Sequence, residues 1–382
     1  MPRHDDDNDE CQCSECLPPD TEDWCTGCDN SADSCTCDRR TMCTRCGVSM
    51  NRRRDGITRC RVCSPPVVGV RFVRRETPVF HEAKTFKANP SRRFVSCEVE
   101  VCGAHGNAQQ VNEVVAAWQS AVVSDGSLPQ GGFEITTAPT NGDKFVEHMT
   151  VLSAALREAA GWVDARAGMH VHIDARDFHY WDLRRLIMLY QRVEPALFAM
   201  VPPGRRRSSF CEPCGNRYMD AIRLGDDAAK VLVEAEARRA GTMSAFKKRL
   251  LFSLYSTTNT RGARGWHRDK IADQQPTGDK YAAPRYRAMN LHSWMYRGTI
   301  EFRIPPGTVR KHKMIGWGTL FAGFLDSVMA MPERRAAALN TAPEETLKAL
   351  VSHVPGASDF IDKRLEMCAV RPKAALRSQE AF

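Results

Sequence analysis

Arg93-Phe94-Val95-Ser96-Cys97-Glu98-Val99-Glu100-Val101-Cys102 alternates apolar and polar side chains with a period of two. Side chains of a strand point to opposite faces in turn, so Val95, Cys97, Val99 and Val101 make one apolar face. Ser96, Glu98 and Glu100 share the other, and two carboxylates stand side by side.

Three more stretches obey the same rule. Phe133 and Ile135 lie behind Glu134 in a strand expected over 132–137. Met169, Val171 and Ile173 oppose His170, His172 and Asp174 in a strand over 168–174. Ile300, Phe302 and Ile304 oppose Thr299, Glu301 and Arg303 in a strand over 298–304. For any single strand, a polar face that sees water is an adequate reading. Solvent faces usually carry Lys, Thr or Ser, however, and these carry Glu, His, Asp and Arg. Neighbouring carboxylates repel unless a cation or proton compensates, and a shared divalent metal relieves that repulsion. Carboxylate oxygens suit magnesium, and histidine in the set also admits manganese. Three glutamates and a histidine could hold two such ions, with Arg303 placed to neutralise phosphate or carboxylate charge.

Between these strands, residues 107–122 read as a helix. A longer helix follows in which Phe145, Met149, Leu152 and Leu156 recur at helical spacing, and 181–200 and 311–331 read likewise. A further strand is expected over 285–294. Strands interleaved with amphipathic helices define an α+β or α/β class. Residues 67–91 read as a linker, 92–345 as the main domain and 346–382 as C-terminal helices with a basic tail. From Gly204 to about Pro284 the chain turns basic and irregular, with helices expected over 227–240 and 244–254, and reads as an insertion or lid. Its Arg205–Arg207 run and its Arg261, Arg264, His267, Arg268 cluster could face an acidic ligand, although a charge run is more often a solvated face.

The first 66 residues are built differently. Eleven of the sixteen cysteines fall between Cys11 and Cys63, where large aliphatics are scarce. Cys43-x-x-Cys46 and Cys60-x-x-Cys63 are thirteen residues apart, a spacing that lets two knuckles converge on one structural zinc, with Arg52–Gly56 as a hairpin tip between them. Cys13, Cys16, Cys25 and Cys28 are the expected ligands of a second zinc. Cys211-Glu212-Pro213-Cys214 is a lone pair, and Cys97, Cys102 and Cys368 read as core or surface thiols.

Over 382 residues, 54 Lys and Arg exceed 46 Asp and Glu by eight, a mild excess that suits anionic ligands and equally suits plain solubility. The acidic start lacks the apolar core of a secretory signal, and no apolar run is long enough to span a bilayer, so a cytoplasmic location is expected.

Taken in order, the motifs Cys97-Glu98-Val99-Glu100, Asp125-Gly126-Ser127-Leu128 with Gly132-Phe133-Glu134-Ile135, Gly168-Met169-His170-Val171-His172 and Arg297-Gly298-Thr299-Ile300-Glu301-Phe302-Arg303 resemble the amidoligase family. That family is a branch of the carboxylate–amine ligases that includes glutamine synthetase and glutamate–cysteine ligase, and the resemblance covers about Arg92 to Gly318. It implies a glutamine-synthetase-like curved antiparallel sheet with helices on one face, binding ATP and Mg2+ or Mn2+. It implies Glu98, Glu100, Glu134, His170 and Glu301 as metal ligands, with Glu134, Glu301 and Arg303 as catalytic groups. Arg303, Arg297, His172 and Asp125 would contact the nucleotide or its ions; His172 could instead stand behind a ligand, and Asp125 could instead form a turn with Gly126. The reaction implied is ATP-dependent joining of a carboxylate to an amine through an acyl phosphate, on a peptide, a cell-wall precursor or a small metabolite. The competing readings are a zinc-dependent nucleic-acid-binding or adaptor protein with an inactive ligase-like domain, and a metal-dependent phosphotransferase or hydrolase.

Overall fold

The computed structural model describes residues 40–42, 49–51, 69–74, 77–104, 106–129, 131–178, 180–214, 286–339 and 341–369. In chain order, β1 (Arg40–Met42) and β2 (Ser49–Asn51) pair antiparallel as a sheet of their own. There follow β3 (Val95–Val101), α1 (Gln109–Ala117), β4 (Ala121–Val123), β5 (Phe133–Thr136), α2 (Gly142–Glu158) and β6 (Met169–Asp174). Then come α3 (Tyr180–Ala199), α4 (Pro203–Arg206), β7 (Met289–Asn290), α5 (His292–Arg297) and β8 (Thr299–Phe302). Four helices close the order: α6 (Lys311–Ala330), α7 (Glu333–Ala338), α8 (Pro343–Leu350) and α9 (Ala357–Met367).

Six strands form one antiparallel sheet in the order β4-β5-β3-β6-β8-β7. Its apolar face is the alternating set read from the sequence: Val95, Cys97, Val99, Ile135, Val171, Ile173, Ile300 and Phe302 are fully buried. Onto that face pack Phe145, Met149, Leu152 and Leu156 of α2, Leu186, Tyr190 and Val193 of α3, and Trp317, Phe321 and Phe324 of α6. Phe302 and Phe321 lie face to face, 4.0 Å between ring centres. Helix α6 is apolar around most of its circumference because it is enclosed on most sides, as a buried helix must be. Where α6 meets α2, Gly318 permits the approach: a Cβ there would lie 2.2 Å from the Phe145 ring.

Several expectations need correction. The helix expected over 107–122 ends at Ala117. Gln119 takes a positive φ of 51°, Ser120 N–H returns to the Val115 carbonyl, and Ala121–Val123 become the edge strand β4. The strand expected over 285–294 is confined to Met289–Asn290. A short helix follows, anchored by Trp294 Nε1 donating to the Ala175 carbonyl at 2.8 Å and stopped by left-handed Gly298. The described residues of 69–91 run against the main domain. Val73 and Val122 exchange two backbone hydrogen bonds of 2.9 Å at the sheet edge, and Asp143 accepts from the Lys87, Ala88 and Asn89 amides. The C-terminal helices belong to the main core through Leu347, Leu350, Val351 and Ile361.

Of the basic stretch, residues 204–214 are described, and Glu212 bridges Arg287 as a parallel neighbour: Glu212 N–H donates to Tyr286 O, and Ala288 N–H to Glu212 O. Residues 215–285, with the helices expected at 227–240 and 244–254, lie outside the described residues. So do Cys13, Cys16, Cys25, Cys28, Cys43, Cys46, Cys60, Cys63 and the 52–56 hairpin tip. Among the described residues no helix is long and apolar enough to cross a membrane.

Candidate functional site

Directly opposed residues of antiparallel strands present their side chains on the same side. The register therefore builds the polar face row by row. Glu100 opposes Glu134; Glu98 lies between Thr136 and His170; His172 lies between Ser96 and Glu301; Glu301 in turn opposes Asn290. The four acidic and basic faces read from the sequence are thus brought onto one surface, which floors a cleft of about 1510 Å³.

Two groups of three donors emerge, each with its ligand atoms within 4.8 Å of one another: Glu98 with His172 and Glu301, and Glu100 with Asp125 and Glu134. Asp125 reaches its group from a loop in which its own Oδ1 accepts the Ser127 N–H at 2.7 Å. The local turn and the approach to the carboxylates therefore coexist. His170 lies between the groups. Its Nδ1 is 3.0 Å from Glu98 Oε2 and its Nε2 is 3.6 Å from Glu100 Oε1. The three-donor set contains His172, and His170, which the resemblance gives as a ligand, stands within 3.0–3.7 Å of Glu98, Glu100 and Glu301.

The chemistry of His172 tests whether a cation fits. Its Nδ1 lies 3.1 Å from Thr299 Oγ1 and 3.2 Å from Ser293 Oγ, whereas Nε2 is buried without a hydrogen bond, 3.4 Å from Glu98 Oε1. A buried imidazole nitrogen rarely lacks a partner, and a metal-ligating histidine is usually held by a hydrogen bond on its far nitrogen, a place the two hydroxyls fill here. The donor set therefore fits a divalent cation.

Electrostatics point the same way. Burial and the nearby charges of Glu98, Glu100 and Asp125 push the Glu134 carboxyl up to about 8, the repulsion that a cation would relieve. Burial would also raise Glu98, but His172 and His170 hold it well below the usual carboxylate range. Against burial, Arg303 and His172 hold Glu301 down to about 2. Arg303 Nη1 donates to Glu301 Oε1 at 2.6 Å and Nε to the Phe210 carbonyl at 3.1 Å, and its guanidinium lies 5.4 Å from the Tyr286 ring centre. Arg297 Nη1 donates to Glu98 Oε1 at 3.0 Å.

Sequence reasoning missed Asn290, whose Nδ2 donates to Glu301 Oε2 at 2.7 Å, and Ser293. Both reach the site from a short strand and a helix where one long strand was expected, so no alternation signalled them. Cys211 and Cys214 are buried, and burial pushes the Cys211 thiol up to about 11, which leaves it unreactive.

An α+β domain whose antiparallel sheet and adjoining loops bring six potential metal donors and two arginines into one cleft fits a class: enzymes that handle anionic substrates with divalent cations. Comparison with known families makes that specific. The profile of the family described as "Putative amidoligase enzyme" matches residues 80–325, and the chain belongs to that family. Its function is accordingly of the ligase type. A search of the curated proteins found no match.

Proposed function

We propose that the cleft is the active site of an ATP-dependent carboxylate–amine ligase. The observation that carries this reading is the pair of three-donor groups, Glu98/His172/Glu301 and Glu100/Asp125/Glu134, side by side in one cleft. Magnesium or manganese held there would neutralise the triphosphate and polarise its terminal phosphoryl group.

The chain's own residues then have separable tasks. Glu301 carries no proton at neutral pH and keeps Arg303 fixed, so the guanidinium faces the charge of the transferring phosphoryl group without reorganising. Asn290 and Thr136 orient Glu301 and Glu134 by hydrogen bonds. A substrate carboxylate oxygen attacks the γ-phosphorus and ADP leaves. The amine nitrogen then attacks the acyl carbon, loses a proton and expels phosphate, so that the amide, ADP and phosphate are the products.

Incubation with ATP, magnesium and a pool of carboxylates, amino acids and polyamines should release ADP only when an amine is present. Glu98→Ala and Glu301→Ala should each abolish that release. Activity persisting in both variants would sink the assignment, and amine-independent phosphate release would favour a hydrolase or phosphotransferase on the same face.

For the N-terminal segment we propose a structural zinc on Cys43, Cys46, Cys60 and Cys63. The support is that β1 and β2 pair on either side of the stretch containing Cys43 and Cys46. Metal analysis of the full chain tests it, and a zinc-free folded protein would remove it.

A further inference from the structure

Most of the described arginines lining the cleft are paired with a carboxylate. Arg166 pairs with Asp164, while Arg176 Nη2 lies 2.6 Å from Asp174 Oδ2, Arg297 Nη1 3.0 Å from Glu98 Oε1 and Arg303 Nη1 2.6 Å from Glu301 Oε1. Arg74 has no such partner but is exposed, so water compensates its charge. Arg205 differs from all of these. It is 6 % exposed, lines the cleft, and among the described residues has no carboxylate within ion-pair distance.

Its hydrogen bonds go to main-chain carbonyls: Nη2 donates to Arg303 O and Nε to Ile304 O at 3.4 Å. Two carbonyl dipoles do not neutralise a guanidinium, and a buried charge without a counter-ion is costly. Burial lowers the Arg205 pKa, Cys211 and Glu100 pull it back up, and Arg303 adds a like charge. Glu100 is the carboxylate whose charge acts on it, but that carboxylate is occupied. Glu100 Oε2 accepts the Gly168 N–H at 2.6 Å, Oε1 lies 3.6 Å from His170 Nε2, and the group belongs to the Glu100/Asp125/Glu134 set.

The chain makes room for this charge. A Cβ on Gly168 would lie 2.6 Å from Arg205 Nη2, so the glycine that opens Gly168-Met169-His170-Val171-His172 leaves the space in which the guanidinium sits. The charge run 205–207, open to reading as a solvated face, therefore sends its first member into the interior.

We infer that Arg205 is an oxyanion receptor: a carboxylate or phosphoryl group of a bound substrate supplies its counter-charge, next to the Glu100/Asp125/Glu134 group. The inference rests on the ligase reading only for the identity of the molecule that carries the oxyanion.

Calorimetric titration of the full chain, in magnesium, with inorganic phosphate and separately with glutarate tests it. The wild type should bind at least one of them, and Arg205→Gln should bind that anion about tenfold more weakly or worse, as loss of a charged hydrogen-bond donor implies. Loss confined to phosphate assigns the site to the nucleotide, and loss confined to glutarate assigns it to the acid substrate. Equal affinities in wild type and variant, or no anion binding by the wild type, overturn the inference. Should Arg205→Gln not fold, the side-chain 15N resonance of Arg205, assigned with Arg205→Lys, decides in the wild type: a saturable shift with either anion supports the site, and its absence overturns it. Anion binding is read without turnover, so a chain that binds anions through Arg205 yet forms no amide counts against the proposed function alone.

Discussion

Two hydroxyls decide which nitrogen of His172 faces the carboxylates. Thr299 and Ser293 both engage Nδ1, which leaves Nε2 for a ligand. Thr299→Val should therefore weaken Mn2+ binding by roughly 10–100-fold, the usual consequence of losing a partner behind a ligand, while leaving the fold intact; a calorimetric titration reads it. A second residue-scale prediction concerns His148, stacked 4.3 Å from Trp118 on the helix side of the sheet. Burial, reinforced by His81, lowers its pKa from 6.5 to about 3. The unfolded chain takes up a proton that the folded chain refuses, so stability is lost as pH falls from about 6.5 towards 3, by up to ~1.4 kcal/mol per pH unit. His148→Phe, which keeps an aromatic on Trp118, should flatten that slope in urea titrations at successive pH values. At this scale Glu98, Glu100, Glu134, Glu301 and Arg303 were legible because alternation alone sends them to one face. The different surroundings of His170 and His172 were not, because both lie on that face and the hydroxyls beside His172 come from other elements. Arg205 was illegible because its burial depends on Gly168, distant in sequence.

Elements show where a period misleads. Residues 107–122 look helical because Val111, Val115 and Val122 fit one face, yet Val122 is buried as part of a strand. The break rests on the positive φ of Gln119, which its side chain does not announce. Helix α6, by contrast, was legible as an element but its packing was not. A glycine in mid-helix normally weakens it, and replacement by alanine gains about 0.8–1 kcal/mol of propensity. At Gly318 the new Cβ would meet the Phe145 ring, and overpacking of a tight core costs typically ~1–3 kcal/mol. Gly318→Ala should therefore lower the denaturation midpoint, and a raised midpoint would show that Phe145 can withdraw. Because Phe302 stacks on Phe321 of the same helix while Glu301 and Arg303 project from the other face, such a change should also perturb cation affinity.

For the molecule as a whole, the repulsion gathered around Glu134 makes the cleft dependent on what it binds. Manganese at about 100 times its dissociation constant should stabilise the protein by roughly 2.7 kcal/mol, seen as a raised melting temperature that a chelator reverses and that Glu98→Ala abolishes. The global architecture was legible wherever strands alternate cleanly, and less so around the isolated bridge between Glu212 and Arg287, where no alternation announces the pairing. That junction carries its own lesson. Glu212 and Arg287 fasten the two ends as parallel neighbours, and such a crossover needs only about a dozen residues, far fewer than the stretch 215–285 supplies. Phe210 and Tyr286, which support Arg303, both belong to the fastening and not to the stretch. The seating of Arg303 is thus tied to a clasp between two chain segments remote in sequence, so that loosening Glu212 from Arg287 would slacken a guanidinium that neither of them touches.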